Sequence, residues 1–261
     1  MPKSYTVEDD YNDSRLDKWF KQIVINLPHS LIEKIIRLNK IKVNKKKTRT
    51  SYRLQTGDLV EIYDISKFKP IDLKKKIKYL PKKKEKGEYD DYVIEDNDNF
   101  IVINKPTGIP VQSGTKSFRN IIDIVKNTKY FENTKPYIVH RIDKETSGIL
   151  IIAKNRKFAQ LFTSLFRIRK IHKTYLALVY GTVNKSIKIM KDNLIYYENN
   201  KKITQKAISN LKVIKASEGY SYLELNPITG RKHQLRKQLL NIGNPIIGDD
   251  KYFLNGIKRI K

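Results

Sequence analysis

The sequence predicts an α+β fold in two unequal units, residues 13–63 and 89–261. A chain of 261 residues is long enough to bury one sizeable core and a smaller second one. After Tyr89, helical and strand periodicities follow one another without a regular strand–helix–strand rhythm, which argues against a doubly wound sheet. Between the two units lies "SKFKPIDLKKKIKYLPKKKEKG", dense in lysine, broken by prolines and lacking any period that would build a core. Residues 64–88 therefore read as a linker: a solvated tether first, and otherwise a salt-sensitive clamp on a polyanion.

In the first unit, "SRLDKWFKQIV" sets Leu16, Trp19, Phe20 and Val24 at helical spacing behind Ser14 as the expected cap. "LPHSLIEKIIRLNK" repeats the pattern, with Ser30 as cap and Leu31, Ile32, Ile35 and Ile36 as the apolar stripe. "IKVNKKK" predicts a short strand running into an Asn-Lys turn, and "LQTGDLVEIY" a turn and a closing strand. In the second unit, "DNFIVINKPTGIPVQSG" predicts a buried strand ending in a Lys-Pro-Thr-Gly turn. "SFRNIIDIVKNT" and "NRKFAQLFTSLFRIRK" have the spacing of amphipathic helices. "HKTYLALVYGTV", "AISNLKVIKAS" and "YSYLELNPITG" read as strands, and "HQLRKQLLNIG" as a helix with a glycine stop.

Composition excludes several chemistries. With no cysteine there is no disulfide, thiol nucleophile or cysteine-ligated metal. His29, His140, His172 and His233 are widely spaced and form no His-Glu-x-x-His pattern, so no metal site is expected. No Gly-x-Gly-x-x-Gly, Walker loop or internal repeat is present, and no nucleotide cofactor is expected. The N-terminus has no apolar leader and no stretch approaches a membrane span, so a soluble cytoplasmic chain with no membrane partner is expected. The net charge of +27, from 54 Lys+Arg against 27 Asp+Glu, attracts polyanions, of which nucleic acid is the commonest. Most of that excess is lysine, alongside many Asn and Ile, a bias that AT-rich coding also produces; charge therefore speaks for nucleic-acid binding and not for any reaction.

One stretch stands apart. "VHRIDKETSG", residues 139–148, sets Arg141, Asp143, Lys144 and Glu145 at the tip of a turn between the apolar runs "YIV" and "ILIIA". By itself it reads as a solvated hairpin loop. It occurs, however, with "NKPTGIPVQSG" (104–114), "KTYLALVYG" (173–181) and "TGRKHQLRKQL…GNPIIGD" (229–249). Together these four stretches resemble the RluA-type RNA pseudouridine synthases. In front of them, "RLDKWF…SLIEKIIRLNKIKVN…TGDLVEI" resembles the alpha-L RNA-binding module, including the Val-Asn before the basic turn and the Gly-Asp before the last strand. The resemblance runs from residue 14 to about residue 252. It implies a mixed, mostly antiparallel catalytic sheet with flanking helices and a central cleft, acting on large-subunit ribosomal RNA or its precursor; a monomer is expected.

The implied reaction breaks the N1–C1′ glycosidic bond of uridine, turns the base and joins C5 to C1′. Nothing is oxidised or hydrolysed, so no cofactor is implied. Asp143 matches the family's nucleophile, a role open to an ionised carboxylate held near its target. Arg141 matches the arginine that fills the gap left by the flipped base, where a planar guanidinium can stack; a phosphate contact is the alternative. Tyr175 matches the tyrosine that packs on the base and takes the C5 proton. Arg236 matches the cation that keeps the aspartate ionised. Arg231 is assigned to RNA phosphate or to the motif's own turn, and is separated from Arg236 by motif position alone. Lys105 is placed on backbone carbonyls or RNA near the cleft, with a solvated turn lysine as the alternative. His140 reads as structural, Glu145 as solvated, and Gly148 as a source of backbone freedom. In the first unit, Arg15, Lys18, Arg37, Lys40 and Lys45–Lys47 form the expected basic face toward RNA.

Gln238 and Asn244 stand where the family usually has histidine, and are expected to be scaffold or RNA contacts. The family pattern also continues past "GDDKYFLNGIKRIK", so some sheet strands are expected to be missing. Two other functions fit less well: a transfer-RNA synthase of the same chemistry, and a non-catalytic RNA-binding assembly factor. Joint retention of Arg141, Asp143, Tyr175 and Arg236 favours an enzyme.

Overall fold

The computed structural model describes residues 2–66, 68, 81, 90–114, 118–198 and 201–256, so most of the expected linker lies outside the described residues. The first unit comprises β1 (Lys3–Thr6), α1 (Leu16–Ile23), α2 (His29–Arg37), β2 (Ile41–Val43), β3 (Lys46–Lys47) and β4 (Leu59–Ile62). Its antiparallel sheet runs β1-β4-β2-β3. Leu16, Trp19 and Phe20 of α1 and Ile32, Ile35 and Ile36 of α2 form one buried cluster with Ile41, Val43, Val60 and Ile62. The helical spacing thus puts both apolar stripes on one sheet face.

Neither serine caps its helix. Arg15 occupies the cap position of α1 and Pro28 that of α2, and neither supplies a side-chain cap. The amides of Leu16 and Asp17 donate instead to the carbonyls of Tyr52 and Thr50, and those of Leu31 and Ile32 to Pro28. Backbone acceptors satisfy the helix-end donors that a serine hydroxyl would otherwise take. The unit also begins upstream of residue 13, because "KSYT" forms β1 beside β4. Short, polar and largely exposed, that strand carries no periodic signal.

The Val-Asn and Gly-Asp motifs prove to be partners. Asn44 and Lys45 both adopt positive φ, the geometry of a tight hairpin turn. The Asn44 side-chain amide donates to Asp58 Oδ1 at 2.7 Å, and its carbonyl accepts from Leu59 N at 2.8 Å. Asp58 also accepts from Gln55 N at 2.9 Å, so one buried carboxylate ties the basic turn to the closing strand.

The second unit is built on two antiparallel sheets. The first contains β5 (Val93–Asp96), β6 (Phe100–Lys105), β7 (Tyr137–Ile138) and β8 (Gly148–Ala153) in the order β5-β6-β8-β7. The second contains β9 (Tyr175–Tyr180), β10 (Ile189–Glu198), β11 (Lys201–Ser217) and β12 (Tyr220–Pro227) in the order β10-β11-β12-β9. Helix α3 (Ile121–Val125), capped by the Asn120 side chain, adds Ile121, Ile124 and Val125 to the core of the first sheet. Helix α4 (Arg156–Arg167), capped by Asn155, sets Phe158 and Phe162 against Phe100. Helix α5 (Gln234–Asn241) contributes Leu239 to the core of the second sheet. Tyr175 packs against both cores and so marks the seam between the sheets.

The two departures from the family pattern are scaffold. Gln238 is fully buried; its amide donates to Asp192 Oδ2 at 2.8 Å and its carbonyl accepts from Ser209 at 2.7 Å. The Asn244 amide donates to the Tyr180 carbonyl at 2.8 Å. The two units meet at α4: the Arg156 guanidinium lies over the Tyr11 ring at 4.3 Å, and Gln160 donates to Asn12 O at 2.6 Å. No described helix is long and apolar enough to cross a membrane.

Candidate active site

The ionisable turn joins β7 to β8 and is held from behind. Ile142 is buried in the first core, so its neighbour Asp143 is turned toward the seam. The Asp143 carbonyl accepts from Thr146 N at 3.2 Å, closing the turn. Gly148 then enters β8 at φ +116, a conformation that L side chains rarely adopt.

The Lys-Pro-Thr-Gly turn after β6 braces this loop. Gly108 N donates to Lys144 O at 2.9 Å, and the Thr107 hydroxyl to Glu145 O at 3.1 Å. Lys105 Nζ donates to the carbonyls of Pro106 (2.6 Å), Ile109 (2.8 Å) and Lys144 (3.1 Å). The Lys105 side chain is 0% exposed, which corrects its assignment as an RNA contact: all three carbonyls are internal and no face of it reaches solvent. Burial pushes its ammonium down to about 8, against the pull of Glu145 and Asp143. His140 is likewise internal. Its Nε2 accepts from Ile151 N at 2.9 Å and its ring stacks on Phe166, while burial and then the Lys173 charge push it down to about 4. Glu145 is exposed and pairs with Lys144 at 3.3 Å.

The other side of the site comes from α5 and the segment after it. Arg236 Nη1 stands 3.5 Å from Asp143 Oδ2. Its planar fork is turned elsewhere: Nε and Nη2 donate to Asp249 at 2.6 and 2.7 Å, and Nη2 also lies 3.3 Å from Asp250. Tyr252 lies beneath the guanidinium, 4.9 Å from ring centre to Cζ. Burial alone would raise the Asp249 carboxyl, but the Arg236 fork and the amides of Tyr252 and Lys251 hold it below the usual carboxylate range. Asp249 in turn raises the Arg236 guanidinium further above its ordinary value. Asp249 thus fixes the arginine and leaves one nitrogen for Asp143.

His233 completes the rim. It sits at φ +54, with Nε2 4.0 Å from Asp143 Oδ1 and Nδ1 2.9 Å from the Tyr252 hydroxyl. Burial pushes its imidazole down, while the Asp143 charge opposes this. Tyr175 faces the same carboxylate: burial first, then Asp143, raise its phenol above the ordinary value. Asp143, with its side chain 28% exposed, is open to an incoming molecule. Among the described residues Arg141 makes no hydrogen bond or ion pair, and its side chain is exposed at the mouth.

Asp143, Tyr175 and Arg236 are therefore brought together. Asp249, Tyr252 and His233 were not foreseen, although the Asp-x-x-Tyr spacing in "GDDKYF" is the signal: Asp249 accepts from the Tyr252 amide at 2.9 Å. Arg231 takes up the motif's own turn, with Nε donating to Lys206 O at 3.1 Å and its amide to Gln234 at 3.0 Å. On the first unit, Lys18, Arg37 and Lys45–Lys47 are exposed. Arg15 is forked onto Asp17 at 3.0 and 2.7 Å, and Lys40 donates to Asp64 O at 3.1 Å.

Residues 99–241 match the family model for RNA pseudouridylate synthase. The chain is 37% identical over 255 residues to Ribosomal large subunit pseudouridine synthase C of Rickettsia felis, covering 92% of this chain and 81% of that protein. It is 30% identical over 258 residues to the protein of the same name from Vibrio parahaemolyticus, covering 94% and 78%. The solved structure of Human RNA Pseudouridylate Synthase Domain Containing 4 superposes with a TM-score of 0.55 at 27% identity, over 64% of this chain and 70% of that one.

Proposed function

The chain belongs to the RNA pseudouridylate synthase family, and we propose that it converts specific uridines of large-subunit ribosomal RNA to pseudouridine with Asp143 as the nucleophile. The observation that carries the reading is the partly exposed Asp143 carboxylate, 3.5 Å from an arginine that Asp249 holds in place. A nucleophilic carboxylate must be positioned and reachable, and this setting favours both. The ribosomal substrate follows from the relatives, two of which carry the large ribosomal subunit in their names.

In the proposed mechanism the target uridine leaves the RNA stack, at a cost of about a few kcal/mol. Arg141, exposed and unpaired among the described residues, fills the vacancy. The Asp143 carboxylate adds to the nucleotide, the N1–C1′ bond breaks, the base turns so that C5 joins C1′, and the carboxylate is released as C5 gives up its proton and N1 takes one. Tyr175 packs on the base at the seam. Because its phenol holds its own proton firmly in the free protein, it can take the C5 proton only by passing its own on. Residues 13–63 act as an RNA-binding module through the exposed Lys18, Arg37 and Lys45–Lys47, and the protein works as a cytoplasmic monomer. Pseudouridine-specific chemical mapping of ribosomal and transfer RNA, from cells with and without the gene, tests the reading. Positions lost only from large-subunit RNA are the expected result; losses only in transfer RNA, or none, would overturn it.

A further inference from the structure

Beside the catalytic seam lies a cleft of about 410 Å³ whose lining includes Arg169, His172, Lys173, Asn210, Asn226 and Ile228. Two cations and two carboxamides face it, and no acidic side chain lines it among the described residues. Arg169 and Lys173 have no carboxylate partner among the described residues. We propose that this cleft is a phosphate subsite, and that it holds a backbone phosphate of the substrate RNA next to the uridine being extruded. The proposal rests on the functional reading above for its substrate and on the cleft itself for its chemistry.

The surroundings argue for a built site. Arg169 follows α4 at φ +60, where glycine fits most easily and an arginine is strained. Its backbone is fixed all the same, with its amide donating to Phe166 O at 3.2 Å. The Phe166 ring stacks on His140 at 4.5 Å, which couples the cleft wall to the residue before Arg141. On the opposite wall Asn226 donates to the Thr174 hydroxyl at 3.0 Å, beside Tyr175. Lys173 Nζ reaches the "TGRKH" turn, where a Cβ on Gly230 would lie 3.9 Å from it. Burial and the nearby Arg169 charge pull Lys173 below the ordinary lysine range. Lys173 is half-buried and Arg169 exposed, and two neighbouring like charges with no carboxylate partner among the described residues favour an incoming anion. A phosphate here would rest on the segment entering β9, two residues before Tyr175, and on β11 and β12, so that gripping the backbone and presenting the base become one event.

The test has one arm that needs no turnover. Lysines of the full chain are ¹³C-dimethylated, the Lys173 signal is assigned by its loss in Lys173→Arg, and uridine 5′-monophosphate, uridine and inorganic phosphate are titrated in turn. The Lys173 signal should shift saturably with the monophosphate and with phosphate but not with uridine, and Arg169→Gln should weaken the response at least tenfold. A Lys173 signal that moves no more than those of exposed lysines overturns the phosphate site, whatever the activity. In the second arm, Arg169→Gln should raise the concentration of ribosomal RNA needed for half-maximal single-turnover rate at least fivefold. An unchanged value, with the wild type active, overturns the assignment to substrate RNA. If the wild type itself converts no ribosomal uridine, the functional reading fails, while the titration still decides the cleft.

Discussion

Arg236 Nη1 lies 3.5 Å from Asp143 Oδ2 while the same guanidinium forks onto Asp249 at 2.6 and 2.7 Å. The tighter partner is thus not the proposed nucleophile but the carboxylate behind the arginine. Arg236 acts as a fixed cation: Asp249 holds its plane and Asp143 receives its field. The roles of Asp249 and Asp143 can be separated experimentally.

Asp249→Asn should lower single-turnover activity by about tenfold or more while leaving RNA affinity within a few-fold. An amide can still accept from one guanidinium nitrogen, but it loses the charge-assisted fork that fixes the plane. Rate and affinity measured together on one RNA check this.

The same pair predicts an acid limb in stability. The folded Asp249 carboxyl sits below its ordinary value, despite burial, chiefly because of Arg236. Its stabilisation is therefore complete above the unfolded value of about 3.9 and is lost as pH falls through the lower folded value. Denaturant unfolding between pH 6 and pH 3 should show a steeper loss for the wild type than for Asp249→Asn.

At position 236 itself, lysine keeps a cation but cannot fork onto Asp249 and face Asp143 at once. Arg236→Lys should retain part of the activity. Arg236→Leu should retain far less, with its pH–rate profile displaced toward higher pH because the cation facing Asp143 is lost. Arg231→Leu, whose Nε donates to Lys206 O, should act on RNA affinity or on the turn and leave the pH profile in place. Single-turnover pH–rate profiles of the three variants separate these roles; a shifted profile in Arg231→Leu alone would reverse them.

Lys105→Met should destabilise the protein by about 2 kcal/mol or more, because three carbonyls lose their shared donor. The wild type carries a further signature. A lysine whose folded value is lowered to about 8 binds its proton less well folded than unfolded. Stability should therefore rise with pH between about 8 and the unfolded value of about 10.4. That rise should be smaller in Lys105→Met when both are unfolded in denaturant across this range.

Deleting residues 1–66 should weaken RNA binding and flatten its salt dependence, since Lys18, Arg37 and Lys45–Lys47 are exposed. The remaining unit has its own two cores, so it should stay folded, although Arg156 and Gln160 lose Tyr11 and Asn12. An unchanged slope of log affinity against log salt would show that the first unit does not grip RNA.

Much of this arrangement was legible in the sequence where one face of an element is buried. The stripes of α1 and α2 and the apolar runs of β6, β8, β9 and β12 must match their period to a core, and periodicity finds them. Strand β1, with polar and exposed residues, obeys no such constraint and was invisible. Caps failed for a related reason: whether Ser14 bonds a helix end depends on where Tyr52 and Thr50 place their carbonyls, which is a tertiary fact. In the site, Asp143, Tyr175 and Arg236 stand in motifs. Asp249 acts through a contact 13 residues from Arg236, and only the folded chain shows that the Asp-x-x-Tyr spacing is a clamp. Lys105 was legible only in part: of the two partners the sequence left open, the structure supplies the backbone carbonyls, and its complete enclosure rules out RNA.

The most direct test of the account is tritium release from RNA labelled at uracil C5, comparing the wild type with Asp143→Asn. When C5 becomes the glycosidic carbon, its hydrogen is lost to water. The wild type should release label from large-subunit ribosomal RNA. Asp143→Asn should release none above background while binding the same RNA within a few-fold, since dispersed phosphate contacts supply the affinity. Substantial release by Asp143→Asn, with its RNA binding intact, would contradict the assignment of Asp143 as nucleophile.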